Sequence, residues 1–177
     1  MQTLEAIFSR RSIRAFTSDP ITDEDLHTII KAAAAAPSGG NAQMWVFISI
    51  REAKRIAALR ALAPGIIGIP AAVIVMCLDK RRRTASAEGR LAVMPLYDIG
   101  AALENILLAA HDLELGGCAV GSFHPKALAT FLNLPEFLEP CLLVVLGKPK
   151  MTPPAPPKRP IEEVYFRERY EGKNEPG

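Results

Sequence analysis

Cysteine and histidine are scarce in this chain. Among 177 residues there are three of each, and no Cys-x-x-Cys pair occurs. The odd number of cysteines, Cys77, Cys118 and Cys141, argues against a disulfide framework, and each lies in an apolar or glycine-rich stretch. The histidines are scattered without the spacing of metal ligands. We therefore expect reduced thiols, no metal site and a cytoplasmic protein.

The chain also lacks a large excess of charge of either sign. Lys and Arg number 21 and Asp and Glu number 19, so the formal net charge is only +2. A field this weak does not favour nucleic acid as a partner. The one dense basic run, Lys80–Arg83, follows a predicted strand. We interpret it as a solvated loop, with anion binding as the alternative.

No segment has the pattern of a signal peptide or a membrane helix. The first 14 residues include Glu5 and three arginines, with no apolar run between them. The uncharged stretch 61–78 approaches the length of a membrane span, but two prolines and two glycines interrupt it. These residues predict a loop followed by a short strand. We expect no membrane partner.

The composition is that of an ordinary globular protein. Hydrophobic residues make up 49% and charged residues 23% of the chain, and 177 residues fit one domain, 1–177. Periodicity predicts helices and strands in alternation. The predicted helices span 3–8, 23–36, 52–62, 98–115 and 125–132, and the predicted strands span 46–50, 71–78, 117–120 and 141–146.

Capping residues support three of the helices. Thr3, Thr22 and Asp98 each precede or begin an apolar helical pattern. The second helix places Leu26, Ile29, Ile30, Ala33 and Ala34 on one face and ends before Pro37. The helix from Asp98 is apolar nearly all round and is closed by Gly116. Such a helix needs cover on more than one side, which favours a dimer interface; a position central within the monomer is the alternative.

The composition changes after Gly147. Six prolines between 149 and 160 predict an extended arm that forms no regular backbone hydrogen bonds. Apolar and aromatic residues resume at Ile161 and continue to Tyr170. We therefore expect 149–177 to be an arm whose far end docks against another surface.

Three places have residues suited to a phosphorylated, planar ligand. They are the basic turn Arg10–Arg14, the loop Pro37–Asn41 and the pair Lys158–Arg159. Guanidinium groups bind phosphate bidentately, Ser12 adds a hydroxyl donor, and glycine backbone approaches a flat ring closely. Each place alone is typical of a solvated surface or a simple turn, so the prediction rests on their combination.

Other site motifs are absent. No Gly-Lys-Ser/Thr follows a glycine-rich loop, 116–121 has the wrong spacing for a dinucleotide fingerprint, and no Gly-x-Ser-x-Gly occurs. Cys118 and His124 are close enough in sequence to suggest a catalytic pair, with the cysteine as nucleophile and the histidine as base. We favour the interpretation that Cys118 is a packed thiol and His124 a surface residue.

Five segments together resemble the FMN-dependent nitroreductase family. They are Arg10–Phe16, Ala36–Trp45, Asp98–Ala110, Leu115–Phe123 and Pro157–Val164. The resemblance spans nearly the whole chain. It implies an α+β sandwich, with a central, mostly antiparallel sheet flanked by helices, and an intertwined homodimer with FMN tightly bound at the subunit interface.

The resemblance also implies which residues bind FMN. Arg10, Ser12 and Arg14 would hold the phosphate, ribityl chain and pyrimidine edge, with Arg11 contributing backbone; Lys158 and Arg159 would close on the phosphate. Pro37, Ser38, Gly39 and Asn41 would come from the other subunit and lie along the flavin. Val120, Gly121 and Ser122 would line the ring near its N5. Two departures from the family pattern are Met44, where proline is usual, and the short apolar region 51–71.

The activity that the resemblance implies is hydride transfer from NAD(P)H through flavin N5 to a nitroaromatic, quinone or related acceptor. The nicotinamide and the acceptor would occupy the same face of the flavin ring in turn, which is a ping-pong mechanism. No catalytic side chain is assigned. One alternative is a flavin-dependent dehydrogenase or dehalogenase of a dedicated metabolite. Another is a non-catalytic flavin-binding module.

Overall fold

One antiparallel sheet of four strands organises the structure. The computed structural model describes residues 1–82 and 93–170. The strands within them are β1 Trp45–Ile50, β2 Ala72–Asp79, β3 Gly116–Val120 and β4 Leu138–Gly147, in the order β1-β2-β4-β3. Each predicted strand is confirmed, and β3 lies at the edge as predicted.

Helices cover both faces of this sheet. They are α1 Thr3–Ser9, α2 Asp23–Ala34, α3 Ala53–Leu62, α4 Met94–Asp112 and α5 Pro125–Phe131. Alternate residues of β2 point to opposite sides: Ile74 and Met76 pack with α2 and α4, whereas Val73 and Val75 pack with α3 and α5. The predicted α+β sandwich is confirmed. Among the described residues, no helix is long and apolar enough to cross a membrane.

The predicted cap of α2 is confirmed, and that of α1 is wrong. The Thr22 hydroxyl oxygen accepts a hydrogen bond from the Asp25 amide at 3.0 Å. In α1 the capping position is Gln2, so Thr3 already lies in the first turn. Of the apolar face predicted for α2, Leu26, Ile29 and Ala33 are buried and Ile30 is half-buried, but Ala34 is exposed.

The boundaries predicted for α4 are wrong at both ends. The helix begins at Met94, because Pro95 in its first turn has the fixed φ and missing N–H that a helix start tolerates. It ends at Asp112, before Glu114 takes a φ of +58°. Gly116 is the first residue of β3 instead of a helix terminator. Asp98 therefore lies inside α4 and does not cap it.

The basic run after β2 is used in the fold. Arg81 donates two hydrogen bonds to the buried carboxylate of Asp79, from Nε at 2.9 Å and from Nη2 at 2.7 Å, and its guanidinium lies 3.5 Å from the ring centre of Phe137. Arg82 donates to the Ala42 carbonyl at 2.9 Å. Lys80–Arg82 are exposed in a turn directly after β2, as the interpretation of a solvated loop expects, but Arg81 and Arg82 also bind within the fold. Arg83 lies outside the described residues.

The Asp79–Arg81 pair predicts a stability contribution that depends on pH. Hydrogen bonding from Arg81 lowers the pKa of Asp79 below its usual value. The contribution is therefore complete above the unfolded-state pKa, about 3.9, and is lost as pH falls through the lower pKa of the folded state. An Asp79→Asn variant should be less stable than the wild type at pH 6, and urea unfolding should show that difference shrinking below about pH 4.

A matched control for this prediction is Glu136→Gln. Glu136 is exposed and forms no ion pair with another described residue. Its replacement should leave the free energy of unfolding nearly unchanged across the same pH range. A difference between wild type and Asp79→Asn that stays constant down to pH 3 would contradict the assignment.

The proline-rich arm leaves the body beside the basic turn. Lys150 donates its amide hydrogen to the Ala15 carbonyl at 3.0 Å, and residues 151–160 have no helix or strand. At the far end, Phe166 packs against Tyr170 with ring centres 4.6 Å apart, while Tyr165 and Tyr170 are exposed. No docking of this end on the body is seen among residues 1–82 and 93–170, so docking stays a prediction.

Candidate functional site

The edge strand β3 positions the basic turn. The Ile13 amide donates to the Gly117 carbonyl at 3.0 Å, and Ser12 forms a parallel bridge with Gly117. The Ile13 side chain is buried against Gly116, where a Cβ would lie 2.4 Å from Ile13. Because successive side chains of extended backbone alternate, Ser12 and Arg14 face outward on either side of Ile13.

The basic turn and the proline-rich arm enclose a pocket of about 520 Å³. This volume lies in the range of small-molecule and cofactor sites. The lining residues come from α1, the basic turn and the arm: Ile7, Phe8, Arg10, Arg11, Ser12, Arg14, Pro153, Pro154, Ala155, Pro156 and Lys158. Two of the three places predicted from the sequence therefore meet in one cavity.

Cations in this pocket have unused hydrogen-bonding capacity. Arg10 donates from Nε to Glu104 at 3.2 Å, but its Nη1 is buried and has no hydrogen-bond partner among the described residues. Buried N–H groups of a charged side chain are costly to leave unpaired. The side chains of Arg14 and Lys158 form no hydrogen bond or ion pair with another described residue. The pocket therefore suits an anion.

Two of the predicted cations are engaged elsewhere. Arg11 donates from Nη1 to the carbonyls of Phe8 and Arg10, at 2.8 and 2.9 Å. Arg159 donates to the side chain and carbonyl of Glu163, at 3.2 and 3.0 Å, and does not line the pocket. Of the pair Lys158–Arg159, the structure thus brings only Lys158 to the basic turn.

The loop Pro37–Asn41 lies apart from this pocket of its own chain. It contains a 3-10 turn over Gly39–Asn41, with Gly40 at a φ of +57° and Asn41 at +56°. This left-handed conformation suits glycine and is tolerated by asparagine. The Ser38 hydroxyl accepts from the Gln43 amide at 3.1 Å, which closes the loop. None of the residues 37–41 lines the pocket.

Asp98 holds this loop from α4 and was not predicted as a site residue. Its carboxylate is 8% exposed and accepts from the Gly39 amide at 3.2 Å through both oxygens. Asn105, two turns further along α4, donates to the Ala32 carbonyl near the end of α2 at 2.9 Å. The sequence signal for this role is a carboxylate at the start of an apolar helical pattern. From the sequence alone, that pattern indicates a helix cap.

The end of β3 presents backbone instead of side chains. Val120 is buried, so only its main chain is available to a ligand. Gly121 and Ser122 are exposed, and their amides form no backbone hydrogen bond with another described residue. A Cβ on Gly121 would meet nothing within 4 Å. Free N–H groups beside open space suit hydrogen bonding to a flat ring.

The cysteines do not form a reactive site. All three are free, and burial raises the pKa of Cys77 to about 11 and that of Cys141 to about 12. Cys118 is buried and directs its thiol to the Ala119 carbonyl at 3.3 Å, whereas His124 is exposed. This geometry favours the interpretation of a packed thiol and a surface histidine. In the described residues, no three His, Cys, Asp or Glu side chains are grouped as metal ligands.

Met44, one of the two departures from the family pattern, has a packing role. Its side chain is 4% exposed, and its carbonyl accepts from the Asp79 amide at 2.7 Å. The preceding residue, Gln43, has a φ of +47°. Met44 therefore ties the end of the loop to the end of β2 through backbone, with the side chain in the core.

The fold and the pocket define a class of protein: an α+β sandwich with a cationic cavity beside its edge strand. Comparison with known sequences makes the assignment specific. The family described as Nitroreductase family matches residues 7–72 and 57–148. The chain belongs to the nitroreductase family.

Individual relatives agree with this assignment. A protein of Archaeoglobus fulgidus is 37% identical over 155 residues, covering 84% of this chain and 86% of the relative; its name gives NADH dehydrogenase/NAD(P)H nitroreductase as a provisional activity. The oxygen-insensitive NADPH nitroreductase of Salmonella typhimurium is 30% identical over 179 residues, covering 96% of this chain and 75% of the relative.

A solved structure extends the similarity to three dimensions. The NADPH:FMN oxidoreductase of Vibrio harveyi, solved in complex with NAD+, superposes with a TM-score of 0.85 at 30% identity. The match covers 97% of this chain and 79% of that chain. The fold of the whole described chain is thus that of the family.

Proposed function

We propose that this protein is an FMN-dependent oxidoreductase that takes hydride from NAD(P)H and passes it to a nitroaromatic, quinone or related small acceptor. The observation that carries the proposal is the cationic pocket, in which neither the buried Arg10 Nη1 nor the side chains of Arg14 and Lys158 have a hydrogen-bond partner among the described residues. The names of the Salmonella and Vibrio relatives support the choice of NADPH, nitro compounds and FMN.

The residues of the pocket fit FMN. Arg10, Ser12 and Lys158 would hold the phosphate and ribityl chain, because their donors face one cavity and charge-assisted bonds to phosphate are strong. Arg14 would lie at the pyrimidine edge, where a cation stabilises negative charge. Gly121 and Ser122, which lie at the end of β3 and do not line this pocket, would donate their amides near N5. Arg159 would contribute only after leaving Glu163.

Bound FMN would supply hydride acceptance and donation at one ring face, with the nicotinamide and the acceptor occupying that face in turn. The chain's own residues would bind the cofactor, orient its ring and polarise it. No described residue that lines the pocket is an Asp, Glu or His positioned as an obligatory acid or base, so we assign no catalytic residue. Protons for the acceptor would come from solvent or from the cofactor's hydroxyls.

The complete site would need a second copy of the chain. The loop Pro37–Asn41 lies away from the pocket of its own chain, and α4, which holds it through Asp98, has Leu96 and Tyr97 exposed beside its N-terminal end. Large exposed apolar side chains on a helix favour an interface. We place this loop along the flavin of the partner subunit, in an intertwined homodimer.

Purified protein offers a direct test. It should carry, or gain with added FMN, the visible absorbance of an oxidised flavin, and NADH or NADPH under anaerobic conditions should bleach it. Nitrofurazone or menadione should then restore the colour. Steady-state kinetics should give parallel lines in double-reciprocal plots, as expected when the donor and the acceptor occupy the same ring face in turn.

The outcomes separate the proposed function from its alternatives. Failure to bind FMN would refute every flavin function. Tight FMN binding with reduction by neither nicotinamide would contradict the reductase and favour a non-catalytic flavin-binding module. Rapid reduction without turnover of either acceptor would favour a dehydrogenase or dehalogenase of a dedicated metabolite.

A further inference from the structure

The segment Pro64–Pro70, between α3 and β2, is fixed at two points to the proposed cofactor site. We call it the apolar loop. At one point the Gly65 amide donates to the Ser122 carbonyl at 3.3 Å, and a Cβ on Gly65 would lie 2.7 Å from Val120. The loop backbone therefore packs directly on the end of β3.

The second contact joins the apolar loop to the basic turn. A Cβ on Gly68 would lie 2.2 Å from the carbonyl oxygen of Arg14. Only glycine permits so close an approach of two backbones. From Gly65 to Gly68 the chain advances three residues, which span at most about 11 Å. The loop thus bridges the segment proposed to meet N5 and the arginine proposed to meet the pyrimidine edge.

Two side chains lie between these contacts, and only one faces outward. Ile66 is 4% exposed and belongs to the core under α3, whereas Ile67 is 70% exposed. Ile67 is thus an exposed side chain between two stretches of backbone, each in contact with a segment proposed to bind FMN. In this chain, the position between Ser122 and Arg14 therefore carries an apolar group and no charge.

We propose that Ile67 forms the wall of the cofactor site at the pyrimidine end, and that by keeping this wall uncharged it sets the reduction potential of the bound flavin. The inference rests on the proposed function. Two-electron reduction places negative charge on the pyrimidine end, and a neighbouring cation stabilises that form. With Ile67 in place, Arg14 is the cation of this edge, and the reduced flavin remains a strong hydride donor.

Ile69 provides a matched comparison on the same loop. It is 73% exposed, close to the exposure of Ile67, but it follows Gly68 and lines a different cavity of about 470 Å³ with Phe16 and Arg51. Replacement at Ile69 changes the net charge and the composition of the loop equally. It does so in a cavity that shares no lining residue with the cationic pocket.

The test compares Ile67→Lys with Ile69→Lys in the FMN-bound protein. The midpoint potential is measured by equilibration with a reference dye, and Kd for oxidised FMN is measured by fluorescence. Ile67→Lys should strengthen binding of reduced relative to oxidised FMN by about tenfold, because a unit charge acts at short range. That ratio corresponds to a rise in potential of about 30 mV for a two-electron couple.

Attraction of the added lysine to the FMN phosphate is the same in both oxidation states, so it changes Kd without moving the potential. Ile69→Lys and the uncharged Ile67→Met should both leave the potential near the wild-type value. An unchanged potential in Ile67→Lys, or an equal rise in Ile69→Lys, would overturn the inference while leaving the proposed function intact. Failure of the wild-type protein to bind FMN would overturn both.

Discussion

FMN should bind about 10- to 150-fold more weakly to an Arg14→Ala variant than to the wild type, a loss of about 1.5–3 kcal/mol, the range of hydrogen bonds to charged groups. Arg14 lines the pocket, is exposed and forms no side-chain hydrogen bond with another described residue. Removing the side chain therefore breaks no hydrogen bond or ion pair among the described residues. The loss should appear in the Kd measured by flavin fluorescence and leave the melting temperature of the cofactor-free protein unchanged.

The control for this prediction is Arg60→Ala, which removes the same charge from the chain. Arg60 is exposed on α3 and lines the separate cavity beside Phe16. Its loss changes the overall field, which is weak and screened by salt, but removes no proposed contact with FMN. Equal weakening by both replacements would show that net charge, and not a bond from Arg14, governs affinity.

The sequence predicted the sheet and the helices covering it because their patterns are strong and local. β2 is an apolar run from Ala72 to Leu78 that ends in Asp79, and every residue of the strand except Leu78 is buried. Thr22 caps α2 because a hydroxyl followed by three acidic residues has few alternative uses. In these elements local preference and tertiary packing agree.

Predictions were wrong where a residue contacts a partner that is distant in the sequence. Asp98 has the composition of a cap, but its carboxylate binds the Gly39 amide, 59 residues away in sequence. Gly116 looks like a helix terminator, but glycine is required there because Ile13 packs against its Cα. None of these partners can be identified from spacing alone.

The candidate site was predictable as a set of segments and not as a set of contacts. Basic residues and glycines revealed which parts of the chain suit a phosphorylated ring. They did not reveal that Arg159 turns to Glu163 while Lys158 faces the basic turn. Nor did they reveal that the apolar loop touches both Ser122 and Arg14. Those contacts depend on where β3 lies in the sheet.

A Gly68→Ala replacement should destabilise the cofactor-free protein by about 1–3 kcal/mol, the usual cost of overpacking. The added methyl group would lie 2.2 Å from the Arg14 carbonyl oxygen. That oxygen belongs to backbone held through Ile13 to β3, so it cannot rotate away as a side chain would. For a chain of this size the melting temperature should fall by roughly 3–10 °C.

The same replacement should also weaken FMN binding, because moving the apolar loop or the basic turn displaces proposed cofactor contacts at both. Gly121→Ala separates the two effects. A Cβ there meets nothing within 4 Å, so the cofactor-free protein should keep its melting temperature, while a methyl group in the space proposed for the ring weakens FMN binding. If the cofactor-free Gly68→Ala variant has the same melting temperature as the wild type, the apolar loop is not fixed to the basic turn. The position assigned to Ile67 then loses its structural support.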